Sequence, residues 1–196
     1  MRLSMLVWVC VLACVACASA GAAEVDFAQD RHEIVKGLTA PAQPKGLDIG
    51  PAGGKREVEV IRQKALGSPS SRGFEAVERD SSPKVNLKIE FDFDSAQLRQ
   101  ESRPLLRDLA SALQDERLSG SRFAVNGHAD SVGPAEYNLV LSFRRARAVM
   151  DYLVQEGGVS GDRLEVAGFG EAVPLVPNDS KRNRQLNRRV EIERLE

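Results

Sequence analysis

The residues able to do chemistry in this chain sit in short, separate clusters. Asp130 follows Asn126-Gly127-His128-Ala129, and Arg145 lies fifteen positions on, inside Leu141-Ser142-Phe143-Arg144-Arg145-Ala146. A carboxylate accepts hydrogen bonds, and a guanidinium donates through a planar fork. By residue type alone, Asp130 and Arg145 could simply pair with each other on the surface. Phe93 and Asp94 form a second polar–aromatic cluster, Asn138 a third position, and Arg188-Arg189 a fourth. Catalytic patterns are missing. His32 and His128 are the only histidines, and no second His or Cys stands at ligand spacing from His128, so no metal is expected. No Gly-x-Ser-x-Gly elbow occurs. No cofactor is expected.

These clusters need elements to hold them. Val85, Leu87, Ile89 and Phe91 alternate with polar residues, which is strand periodicity. Residues 100 to 116 read as a helix with Leu105, Leu106, Leu109 and Leu113 on one face, Ser102 as cap and Pro104 in the first turn. Arg122 to Gly127 reads as a second strand. Pro134 to Gln155 reads as a long helix with a stripe of Leu139, Ser142, Ala146, Val149, Met150 and Leu153, ended by Gly157-Gly158. Leu164 to Phe169 and Arg189 to Leu195 read as further strands. The order β-α-β-α-β-β, with a loop or short helix before the last strand, predicts an α/β (α+β) sandwich. Helices would cover one face of a small mixed sheet. Each chemical cluster falls at the end of one of these elements.

The first eighty residues read differently. Arg2, the apolar run from Leu3 to Val15 and the small residues Ala18-Ser19-Ala20 form a secretory signal, expected to be cut after Ala20. Two other fates stay open: the segment stays as an anchor, or Cys14 or Cys17 is lipidated after Ala13 or Ala16. Cys10, Cys14 and Cys17 are the only cysteines, so a chain cut at Ala20 carries no thiol. Residues 21–83, punctuated by Pro41, Pro44, Pro51 and Pro69, read as a weakly structured tether. Within it, residues 24–38 could form a short helix with Val25, Ile34, Val35 and Leu38 apolar. Residues 57–66 could be a short strand or a helix turn. A formal net charge of −1 offers no basic field for nucleic acid.

Taken in order, Phe91-Asp92-Phe93-Asp94-Ser95-Ala96, Asn126-Gly127-His128-Ala129-Asp130, Leu141-Ser142-x-x-Arg145-Ala146, Gly168-Phe169-Gly170-Glu171 and Asn187-Arg188-Arg189-Val190 resemble the OmpA-like C-terminal domain family. That family includes the peptidoglycan-associated lipoprotein and the C-terminal part of the flagellar stator protein MotB. The resemblance covers residues 84–196. It implies non-catalytic binding of the diaminopimelate-bearing stem peptide of peptidoglycan, with Asp130 and Arg145 as the grip. Diaminopimelate carries carboxylates and an ammonium, so its reader needs both charge signs close together. The resemblance also places Asn138, Phe93, Asp94, Arg188 and Arg189 at the site. One of the two arginines would face the ligand and the other solvent. His128 would satisfy a hydrogen bond beneath the binding loop. The family usually has Thr where this chain has Ala129; a lost hydroxyl bond typically costs about 0.5–1.5 kcal/mol.

The expected organisation is therefore a signal peptide (1–20), a tether (21–83) and a wall-binding domain (84–196). The protein would lie in the periplasm, beside the outer membrane and wall. The tether would reach the outer membrane or an envelope protein. Two alternatives stay in view: a periplasmic peptidoglycan hydrolase, and the wall-anchoring module of a secretion or motor complex.

Overall fold

In the computed structural model, residues 25–41, 56–64, 67–77, 82–92 and 94–195 are described. The signal-peptide reading, the three cysteines and Phe93 lie outside them. Helices α1 (Arg31–Thr39), α2 (Arg103–Leu113), α3 (Ala135–Gln155) and α4 (Lys181–Asn187) accompany six strands. These are β1 (Arg56–Gln63), β2 (Ser71–Val77), β3 (Lys84–Leu87), β4 (Arg122–Gly127), β5 (Leu164–Gly168) and β6 (Val190–Leu195). They form one mixed sheet in the order β2-β1-β5-β4-β6-β3. Central β4 runs parallel to β5 and antiparallel to β6. The parallel pair requires a crossover, and α3 supplies it.

The core follows the apolar alternation. Phe123 and Val125 of β4, Leu164 and Val166 of β5, and Val190 and Ile192 of β6 are buried with Leu106, Leu109, Val149, Met150 and Leu153 of the helices. The expected stripe of α3 is buried throughout. Leu105, expected on the buried face of α2, is only partly buried. The opposite face of the sheet is polar. There Asn126 donates to Glu193 at 3.0 Å, and Arg122 pairs with Glu165.

The described residues between 25 and 77 form one helix and one hairpin. Asp30 caps α1 by accepting from the Glu33 N–H at 2.9 Å. Ile34, Val35 and Leu38 then enter the main core. The β1–β2 hairpin extends the sheet beyond β5. Val58 and Val60 pack with Ala167 and Phe169 in a second small cluster. Arg147 of α3 donates to Gln63 at 2.6 Å, and Arg72 of β2 donates to Glu136 of α3 at 2.7 Å. The sheet is thus larger than the β-α-β-α-β-β unit by one hairpin, and the helical layer by α1.

Two local readings change. The strand expected to run from Val85 to Phe91 stops at Leu87. Its partner β6 begins opposite it at Val190, so residues 88–91 have no strand to pair with. Ser102 does not cap α2. Its hydroxyl accepts from the Glu90 N–H at 2.7 Å and donates to the Glu90 carbonyl at 3.2 Å. The serine pins the segment around Phe91 to the start of α2.

Candidate functional site

Two glycines decide where the site can form. A Cβ on Gly127, the last residue of β4, would collide with the backbone of Ser142 in α3. One on Gly168, at the end of β5, would meet Phe143 at 2.6 Å. With neither Cβ present, α3 lies against the ends of both parallel strands. Ser142 completes the seam: its hydroxyl donates to the Leu139 carbonyl at 2.9 Å and accepts from the Gly170 N–H at 2.9 Å. The loop after β4 and the middle of α3 are therefore held together, despite their distance in sequence.

Asp130 sits in that loop with only 7% of its surface exposed. One carboxylate oxygen accepts from the Val132 N–H at 2.9 Å, and the other pairs with Arg188. Arg145, which by residue type alone could pair with it, does not. Arg145 donates from Nε to the Ser95 carbonyl at 3.0 Å, and its guanidinium lies 5.1 Å from the centre of the Phe91 ring. Its two terminal nitrogens make no hydrogen bond among the described residues. Burial lowers the Arg145 pKa, and nearby Arg188 adds to this, while Tyr137, Asp130 and Asp94 oppose it. A guanidinium stays charged under all these influences.

Asn138 is a positioning residue. Its buried amide nitrogen reaches the carbonyls of Asp130 and Val132, both at 3.1 Å, and Glu171 Oε2 at 2.7 Å. Asp94 occupies a left-handed conformation (φ 51°) and accepts from the Tyr137 hydroxyl. That bond, then burial and the negative charge of Asp94, raise the tyrosine pKa. An open cavity of about 670 Å³ lies against Asp94, Tyr137, Val140 and Arg144. Ala129 is buried, and its N–H bonds the Gly170 carbonyl at 2.8 Å, so the loop backbone is satisfied without a hydroxyl.

Two expectations need correction. Arg188 faces the site, but Arg189 does not face solvent. It is 4% exposed, on the polar face of the sheet, where Nε donates to Asn86 at 2.9 Å. Alternation along β6 puts it opposite Val190, and the loop carrying Val173 covers it. His128 is buried as expected, yet neither ring nitrogen has a partner. It stacks on Phe169 with ring centres 5.4 Å apart and planes 9° apart. Burial, then the charges of Arg189 and Lys84, hold its pKa well below 6.5, so the ring is neutral.

Supporting residues outside the expected set appear as well. Asn187, fully buried, accepts from the N–H groups of Leu175 and Val176 and donates to the Val176 carbonyl and to Asn178. It closes the loop that follows Gly170 and so orients Arg188 next to it. Glu171 anchors Asn138. Both stand within the quoted motifs, but nothing in their residue types separates a ligand contact from a brace.

Asp130 is thus joined to Arg188 of Asn-Arg-Arg-Val rather than to Arg145 of α3, and the family model described as the OmpA family matches residues 90–188. The chain belongs to this family. Outer membrane porin F of Pseudomonas aeruginosa is 41% identical over 110 residues, covering 56% of this chain and 31% of the porin. The peptidoglycan-associated lipoprotein of the same species is 38% identical over 104 residues, covering 53% and 60%. The chain thus spans less than two thirds of either relative. The C-terminal domain of Helicobacter pylori MotB superposes with a TM-score of 0.51 at 27% identity, covering 56% of this chain and 83% of that domain. The polar rim of this OmpA-family domain therefore sits at one end of its sheet, on the segments the family model matches.

Proposed function

We propose that the protein binds peptidoglycan without catalysis, at a site centred on Asp130 and Arg145. The observation that carries this reading is the state of the two charges. Asp130 is buried and aligned by Val132 and Arg188, while Arg145 is fixed through Nε and Phe91 with its terminal nitrogens unspent. A carboxylate and an uncommitted guanidinium at one rim suit a ligand with an ammonium and a carboxylate. The diaminopimelate stem peptide has both. Arg188 and Asp94 border it, and Asn138 holds the loop. A relative named for its association with peptidoglycan supports the reading. Residues 84–196 form the binding unit, residues 1–20 direct export, and the protein links the wall to the outer membrane or an envelope complex in the periplasm.

The test is retention on purified sacculi by wild type, Asp130→Ala and Arg145→Ala, with circular dichroism to confirm folding. Either variant should lose most retention. Equal retention by all three would overturn the site. Release of soluble muropeptides by wild type would overturn the non-catalytic reading and favour a hydrolase. Likeness to a MotB domain favours a second reading, a wall anchor within a larger machine. The mass of the mature protein bears on it, since an anchor of that kind would keep residues 1–20.

A further inference from the structure

A second, smaller cavity of about 210 Å³ opens beside Arg145 and Arg188. Neither Asp130 nor Asn138 lines it. Lys88 and Glu90 stand at its wall, and Ile89, His128 and Arg189 are its buried members. Its uncommitted groups are almost all donors. Arg189 Nη1 is buried and has no partner, although its Nη2 lies 3.8 Å from Glu191. Neither nitrogen of His128 has one, and a neutral imidazole carries one N–H. The terminal nitrogens of Arg145 are unspent, and Lys88 makes no ion pair among the described residues. The one acid of the lining, Glu90, already lies 3.8 Å from Arg99. A buried donor without an acceptor is costly, and an entering acceptor removes that cost. A carboxamide would bring an acceptor but also an N–H facing more donors. A carboxylate brings acceptors only, and its charge suits Lys88, Arg145 and Arg189.

We propose that this cavity is an anionic subsite that takes a second carboxylate of the peptide held at Asp130. The inference rests on the peptidoglycan-binding reading and deepens it: the ligand is recognised as a peptide bearing at least two free carboxylates.

The test uses three synthetic tripeptides, each L-alanyl-γ-D-glutamyl-meso-diaminopimelate. One has all carboxylates free, one is amidated at the glutamyl α-carboxylate, and one is amidated at the diaminopimelate carboxylate remote from the chain. Affinities are measured by calorimetry for the full chain, Lys88→Gln and Arg189→Gln. Lys88 is exposed, so its variant should fold as wild type does. One amidated form should bind wild type about tenfold more weakly, equivalent to about 1.4 kcal/mol. Lys88→Gln should shrink that difference to about threefold or less, because the charge that reads the carboxylate is gone. Arg189→Gln, if it melts as wild type does, should shrink it further. Equal binding of all three tripeptides to wild type would overturn the subsite while leaving the wall-binding reading intact. So would a Lys88→Gln effect of the same factor on every tripeptide. Failure of every tripeptide to bind, with Asp130→Ala still retained on sacculi, would instead remove the underlying reading.

Discussion

Replacing Asn138 with aspartate changes one atom for another of similar size and reverses what it offers. The amide nitrogen of Asn138 serves two carbonyls at 3.1 Å and the Glu171 carboxylate at 2.7 Å. Asn138→Ala removes that donor. A buried polar group left unpaired costs about 1–3 kcal/mol, and the Asp130 carbonyl bond is wholly buried, so about 2 kcal/mol is expected. Asn138→Asp adds a carboxylate facing three acceptors, one of them ionised. Its folded-state pKa must therefore rise, and each unit of rise costs about 1.4 kcal/mol at neutral pH. We expect a total near 4 kcal/mol at pH 7, about half of it relieved by protonation. The sign follows from proton counting. The folded Asn138→Asp variant holds its new proton where the unfolded chain has released it. Its stability is therefore fullest below about pH 4 and falls as pH rises through the raised value. Asn138→Ala lacks this group. Urea melts of both variants at pH 4.5 and pH 7 should show the aspartate variant closing on the alanine variant at the lower pH. A gap of the same size at both pH values would refute the reasoning, because no repulsion would then exist at the Glu171 contact. Sacculus retention at pH 7 should fall for both variants, since Asp130 shares the loop that Asn138 holds.

Other outcomes follow from the same geometry. Arg145→Lys keeps the charge but loses the planar fork and its fit over Phe91; retention on sacculi should fall at least tenfold, with a melting temperature close to wild type. Leu38→Ala should cost about 2–5 kcal/mol by urea denaturation, because Leu38 is fully buried in the main core; an unchanged midpoint would return this segment to the status of a tether. His128 refuses a proton in the fold that the unfolded chain accepts below about pH 6.5, so wild type should lose stability on acidification below that pH, by up to about 1.4 kcal/mol per unit. His128→Phe, stacked on Phe169 and unable to titrate, should lose less over pH 6.5 to 5; parallel curves would refute the burial argument.

How far the sequence can be read depends on whether a residue's neighbours are local. The stripe of α3 and the alternation of β4 and β6 depend on one buried face, and apolar periodicity records that directly. Ser102 misleads because a serine before a proline-led helix has the form of a cap, while its actual partner, Glu90, is twelve residues away. The β1–β2 hairpin is harder still. β2 has Gly73 beside its midpoint, and Phe74 at that midpoint is 72% exposed, so its described side chains carry no buried alternation. At the site, the motifs bring Asp130, Arg145 and Arg188 into one neighbourhood. They cannot assign the pairing, because either arginine has the chemistry to serve the acid. The structure gives Asp130 to Arg188 and leaves Arg145 to Ser95 and Phe91. Solvent is the natural expectation for one arginine of the Arg188-Arg189 pair, because a charged residue beside a site-facing one usually lies there. The polar face of this sheet, with Asn86 to receive Arg189, makes burial tolerable instead.

The burial of α1 also sets a length. The Ala28 N–H bonds the Asn86 carbonyl at 3.0 Å and Asp30 caps a helix locked into the core, so the fold holds the chain from Ala28 on. Ala28 lies eleven positions after Cys17. Even fully extended, that stretch reaches no more than about 40 Å, at roughly 3.6 Å per residue. A chain fixed to a bilayer at Cys17 would keep its OmpA-family domain on a short leash, within a domain's width or two of the lipid. It could then grip only the layer of wall that passes close to the membrane surface. Lengthening that stretch with a flexible insert would be a direct way to let the domain search further.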